Sequence, residues 1–192
     1  MGRGIGGVLF ELALAYIGAW MFNLLVVVLP RLRSRDRVLA AGGGLIRRLS
    51  GVGLAMPAIL AEGAQTRVPQ QAPPPEDWLT VIGQRLPFGG PSPLHVPEGM
   101  GARAATWQEW IGDAVAKVES LNASLIPYYP FLEIELIGLV NDVVLSDFVD
   151  EGRTLASLPA PVNGDMSSLG RPLAEFMTAC AALRAYHEHE VA

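Results

Sequence analysis

Lysine is almost missing from this chain. Lys117 stands alone beside 13 arginines, and basic residues are outnumbered 14 to 19 by acidic ones. A net charge of −5 argues against a nucleic-acid binder, which needs a basic face for phosphates. The arginine bias reads as a coding habit of the source, not a functional signal. Cysteine is equally scarce. With Cys180 alone no internal disulfide can form, and a reducing compartment fits without being required. Charged residues make up 17% of the chain and hydrophobic ones 51%, too apolar a balance for an ordinary soluble domain. The 192 residues suffice for one domain plus an anchor.

Much of the apolar excess lies before Arg31. Ile5 to Leu29 reads IGGVLFELALAYIGAWMFNLLVVVL, with Glu11 its one ionisable residue and Asn23 its one amide. As a helix it is roughly 37 Å long, against a hydrocarbon core of about 30 Å. Pro30 follows, then Arg31, Arg33, Arg35 and Arg37, opposed only by Asp36; Arg3 stands on the other side. The positive-inside rule then predicts a bacterial inner-membrane anchor at 1–30, with the N-terminus outside and the downstream domain cytoplasmic. A cleaved signal peptide would have a shorter apolar core and a small-residue cleavage site; this run ends in Pro-Arg-Leu-Arg. Gly4, Gly7, Glu11, Ala15, Gly18 and Ala19 recur at three- and four-residue steps, a smooth stripe where a second helix can approach. Gly7, Glu11, Ala15, Gly18 and Asn23 are therefore the candidate helix–helix interface. Glu11 or Asn23 would hydrogen-bond across it, a buried carboxylate otherwise being costly. The arginines at 31, 33, 35 and 37 are the candidate contacts to lipid headgroups.

Residues 31–62 form a basic juxtamembrane region and a second apolar stretch. Arg47 and Arg48 interrupt that stretch, each costing roughly 2.5–3.5 kcal/mol on insertion. Val38, Leu45, Leu49, Val52, Met56 and Leu60 share one helical face, which predicts an amphipathic cytoplasmic helix, packed into the domain or lying on the membrane. Residues 63–104 are rich in proline and glycine, a composition that disfavours long helices and central strands. Trp78, Leu79, Val81, Ile82, Leu86 and Phe88 give that stretch apolar surface, so an ordered wrapping loop is expected, with one short helix at 76–84.

Residues 105–192 read as a helical domain. Thr106 with Glu109 makes a capping-box pattern, and Trp107, Trp110, Ile111, Ala114, Val118, Leu121 and Leu125 come after it at helical spacing. Pro127 and Pro130 bracket a turn. Phe131 to Val149, apolar on most sides, predicts the buried centre of a bundle. A last helix, about Leu169 to Glu190, would be capped by Ser167 or Ser168 and carry a stripe of Leu173, Phe176, Met177, Cys180, Leu183 and Tyr186. The expected fold is thus all-α: one transmembrane helix, a bundle of three or four helices, and a long Pro/Gly-rich loop.

The stretch AYIGAWMFNLLVVVLPRLRSRDRV, with TWQEW, YYPFLEIELIGLV, SDFV and NGDMSSLGRPLAEFMTACAALRAY further on, resembles a group of bacterial single-pass membrane proteins. These join an aromatic-spotted anchor to a cytoplasmic helical domain. The resemblance implies membrane anchorage and helical structure. It carries no assigned activity, so it implies no site residues.

Chemistry is sparse. His187 and His189 are two apart and point to opposite sides of a helix, so they cannot chelate one ion; a frayed terminus is expected. Cys180 and His187 are about 10.5 Å apart along a helix, too far for a thiolate–imidazole pair. Asp142, Asp147, Asp150 and Glu151 suggest an exposed acidic helix end. The opening GRGIGG lacks the strand and lysine of a phosphate loop. Catalytic, cofactor and metal residues are accordingly none. The leading expectation is a membrane-anchored interaction or scaffold protein without catalysis. Its partners would be membrane lipid, a second copy of itself or another protein, and not nucleic acid. The alternatives are an accessory subunit of a membrane-associated stress or phage-defence effector, and a metal-dependent enzyme using residues 147–151.

Overall fold

The computed structural model describes residues 3–24, 29–98, 101–159 and 162–191, with side chains for 12, 14–24, 42–98, 101–159 and 162–189. It is mostly helical, with one small two-stranded sheet. Two compact units divide it, Met1–Ala41 and Gly42–Ala192. Helix α1 spans Arg3–Phe22 and α2 spans Leu29–Gly63. The Gly42–Gly63 part of α2 belongs to the second unit, with α3 (Glu76–Gly83), strands β1 (Pro91–Glu98) and β2 (Gly101–Thr106), α4 (Trp107–Leu125), α5 (Ile134–Val144), α6 (Asp147–Ala156) and α7 (Gly170–Val191).

Within the second unit, Gly42–Gly63 runs antiparallel to α4. Gly63 abuts the Trp107 ring at the start of α4, while Gly42 faces Tyr128 and Leu132 just beyond its end. The predicted apolar face holds at Leu49, Met56 and Leu60, all buried, with Leu45 and Val52 half-buried. By length and composition this segment is long and apolar enough to cross a membrane, yet much of its apolar window is buried inside the unit. The same segment also meets α7, where Gly53 lies against Cys180 and Phe176. A Cβ at Gly53 would stand 2.6 Å from the Cys180 sulfur, so absence of a side chain sets how closely the helices approach.

Helix α4 starts where the capping-box pattern predicts. Thr106 Oγ1 accepts from the Glu109 amide at 3.2 Å and Glu109 Oε2 accepts from the Thr106 amide at 2.7 Å, satisfying two donors that a helix start leaves orphaned. Trp107, Trp110, Ile111, Val115 and Val118 are buried. Gly152 brings α6 onto this face, its missing Cβ leaving room for Val115 and Ile111. On α7 the expected stripe is buried at Leu173, Phe176, Met177, Cys180 and Leu183, and Phe176 stacks on Phe148 of α6 at 4.8 Å between ring centres.

Three expectations are corrected. The 63–104 stretch holds the predicted short helix, as α3, but its end is no loop: Pro91–Glu98 and Gly101–Thr106 form an antiparallel ribbon with Val96 opposite Arg103. A two-stranded ribbon has no central strand, so Pro91, Pro93 and Pro97 sit where a missing N–H is tolerated. The fold is therefore not purely α-helical. The predicted single helix from Phe131 to Val149 is two, broken at Leu145–Ser146. Ser146 is extended (φ −67°, ψ 151°) and starts α6 with Asp147 and Asp150 in its first turn, where acidic groups favour a helix N-terminus. Ile134 at 89% and Leu145 at 72% exposure also show that α5 is no buried centre; the Gly42–Gly63 segment, α4 and α7 take that role. Finally, α7 begins at Gly170, after a tight turn over Met166–Leu169 in which Asp165 Oδ1, not Ser167 or Ser168, accepts from the Ser167 amide at 2.9 Å.

Candidate functional site

On α1 the described side chains are apolar and lie in the open on every side of the helix. Tyr16 is 75% exposed, Leu12 61% and Trp20 58%, and Leu14, Ile17, Met21 and Phe22 are exposed too. A helix apolar all round belongs in a protein core or a bilayer. Ala15, Gly18 and Asn23 of the predicted interface are exposed, and a Cβ at Gly18 would meet nothing within 4 Å. Gly7 and Glu11 lie in α1 with side chains outside the described residues. The same holds for Arg31, Arg33, Arg35 and Arg37 in α2.

The second unit holds several clefts. One of about 610 Å³ runs between the Gly42–Gly63 segment and α4. Val52, Ala55, Met56 and Ile59 on one side and Trp110, Ala114 and Leu121 on the other make it apolar; Leu94 of β1 also lines it, and Arg48, Asp113 and Lys117 are its charged groups. A second, of about 490 Å³, lies beside the start of α4. There Arg103 grips Glu109 with two parallel bonds of 2.8 and 2.5 Å. That bidentate pair, with the Thr106 amide, holds the Glu109 carboxyl down to about 2.

Gln108, in the same cleft, is a buried clamp that sequence reasoning missed. Its Nε2 donates to Leu155 O at 2.9 Å and its Oε1 accepts from the Val162 amide at 2.9 Å. The loop after α6 is thereby tied to α4. A glutamine between Trp107 and Trp110 at the start of an apolar helix face was the one available signal, since a buried amide must find partners.

The acidic run at 142–151 does not converge. Asp142 and Asp147 share a cleft of about 390 Å³ with Glu175, whereas Asp150 and Glu151 line a different one with Phe88 and Leu155. Arg153 holds Asp150 at 2.7 Å and Glu119 at 2.7 Å. Among the described residues no three His, Cys, Asp or Glu side chains gather as a metal would need. Cys180 is fully buried, and burial pushes its thiol up to about 12, so it packs as a small apolar group.

The expectation of a solvated C-terminus is corrected at His187, while Glu188 and His189 are exposed. Helix α7 continues to Val191, and the His187 ring packs on Gly43, where a Cβ would stand 2.8 Å from it. Burial, then Arg47 and Arg184, hold its pKa below the ordinary value, with Glu188 opposing. Tyr186 donates to Glu133 at 2.8 Å, fastening the same helix to the start of α5. The chain matches no protein-family model, no curated protein and no solved structure.

Proposed function

We propose that this is a membrane-anchored interaction protein: α1 and the apolar residues after it lie in a bacterial inner membrane, and the Gly42–Ala192 unit works in the cytoplasm as a protein-binding module without catalysis. One observation carries this reading. The described side chains of α1 are apolar and exposed around the helix, and seven of them are large; water is a poor solvent for such a surface. The arginines at 31, 33, 35 and 37 support a cytoplasmic position for the downstream unit. Two copies associate through the small-residue stripe, for which the open face at Gly18 supplies room.

Two measurements test this. After alkaline washing of membranes, the full chain should stay in the pellet, and a phosphatase fused after Ala192 should stay inactive while a cytoplasmic reporter fused there is active. Recovery in the wash would remove the anchor, and an active phosphatase would reverse the orientation. For self-association, disulfide crosslinking through Asn23→Cys should give a dimer that Gly7→Leu with Gly18→Leu abolishes. A dimer unaffected by both leucines would remove the stripe from the account.

A further inference from the structure

The groove between Gly42–Gly63 and α4 has a feature that interaction through α1 does not use. The Gly42–Ala192 unit contains nine of the 14 basic and 17 of the 19 acidic residues, a net charge of −8. Four of its nine cations, Arg103, Arg153, Arg171 and Arg184, each hold a carboxylate. Arg48 and Lys117, both lining the groove, have no ion-pair partner among the described residues. With Asp113 on the same wall, the groove keeps one net positive charge over an apolar floor.

Arg48 and Ile59, at opposite ends, are 11 residues apart, about 16 Å along a helix. The volume of about 610 Å³ falls in the range of small-molecule sites, roughly 300–1,000 Å³. Gly51, on the groove wall, has nothing within 4 Å of where a Cβ would stand. An elongated apolar trough with unpaired cations suits a ligand that has an apolar body and an anionic head. Charge complementarity selects an acid over a neutral lipid.

We propose that this groove binds a fatty acid, with its chain along Val52, Met56, Ile59 and Trp110 and its carboxylate toward Arg48 and Lys117. The site draws on the membrane-anchored reading only for its supply of ligand, since fatty acids partition into bilayers.

The test uses the full chain in phosphatidylcholine nanodiscs with a photoactivatable palmitate. Illumination should label peptides covering residues 48–59 and 110–121, located by mass spectrometry. Unlabelled palmitate should compete, and hexadecanol, which lacks the charge, should compete roughly tenfold less well, the scale of a lost charge-assisted bond. Gly51→Leu, which fills the open space, should cut groove labelling roughly tenfold with no loss of melting temperature. Arg48→Glu with Lys117→Glu should do the same. Labelling confined to residues 5–29, equal competition by hexadecanol, or unchanged labelling in Gly51→Leu would each overturn the proposal. A Gly51→Cys chain that crosslinks to a second copy while the groove stays unlabelled would assign the groove to self-association instead. If the chain fails to enter nanodiscs yet labels at the groove in buffer, the anchor reading fails and this one stands.

Discussion

At the scale of single residues, the second unit is assembled by side chains that are absent as much as by those present. A Cβ at Gly83 would fall 2.6 Å from the backbone of Met166 and Ser167, and backbone cannot swing aside as a flexible side chain can. Gly44 is just as helical, yet a Cβ there would meet nothing within 4 Å. The two glycines should therefore respond oppositely to alanine. Gly44→Ala should stabilise by about 0.5–1 kcal/mol through helix propensity, while Gly83→Ala should destabilise by about 1–3 kcal/mol, the range of overpacking. Thermal melts of the full chain in detergent would check both, and a stable Gly83→Ala would mean that α3 can shift on its support. Nothing in the neighbouring residues warns of this difference. Whether a glycine faces a tight neighbour depends on a distant part of the chain, Met166 in the case of Gly83.

At the scale of elements, the sequence was most legible where one local pattern decides a boundary. Thr106 with Glu109 marked the start of α4, and the observed reciprocal bonds follow from that spacing alone. Thr106→Ala should cost about 1 kcal/mol, the usual worth of an N-cap. Arg103→Ala, which removes an exposed partner of Glu109, should cost less, since a surface ion pair contributes about 0–1 kcal/mol. Denaturant titration should return that order; the reverse would place the joint between ribbon and helix in the ion pair. Legibility failed where two signals competed. The apolar run from Phe131 to Val149 reads as one helix by periodicity, but Ser146 and Asp147 together suit a helix start, and the chain breaks there. The prolines of β1 hid a strand because composition cannot tell a free edge from a central position.

At the scale of the whole molecule, charge is distributed by region. Arg31, Arg33, Arg35 and Arg37 gather before residue 42, and the acidic residues almost all come after it. Within the second unit, burial, then Arg47 and Arg184, lower the His187 pKa from its ordinary value, against Glu188. A histidine whose pKa is lowered on folding takes up its proton more readily when unfolded, so its contribution to stability is present above 6.5 and lost as pH falls below that ordinary value. Melting temperature should accordingly decline below pH 6.5, and His187→Gln should flatten that part of the profile. An identical slope in the variant would show that other groups set it. Glu109, held down to about 2 by Arg103 and the Thr106 amide, contributes stability that is lost as pH falls below the ordinary value of 4.5, so its part of the profile starts lower than that of His187.

The amino-acid sequence by itself determined an apolar first helix with arginines behind it, the capped start of α4 and the buried stripe of α7. Each rests on spacing along one helix, which is set by a 3.6-residue turn. Tertiary structure alone decided that Arg48 and Lys117 share a groove, that Gln108 ties a distant carbonyl and a distant amide to α4, and that His187 closes over Gly43. Each of these contacts joins residues from different elements, far apart along the chain. No local periodicity encodes such pairs, because they depend on how neighbouring helices align once their apolar faces have met.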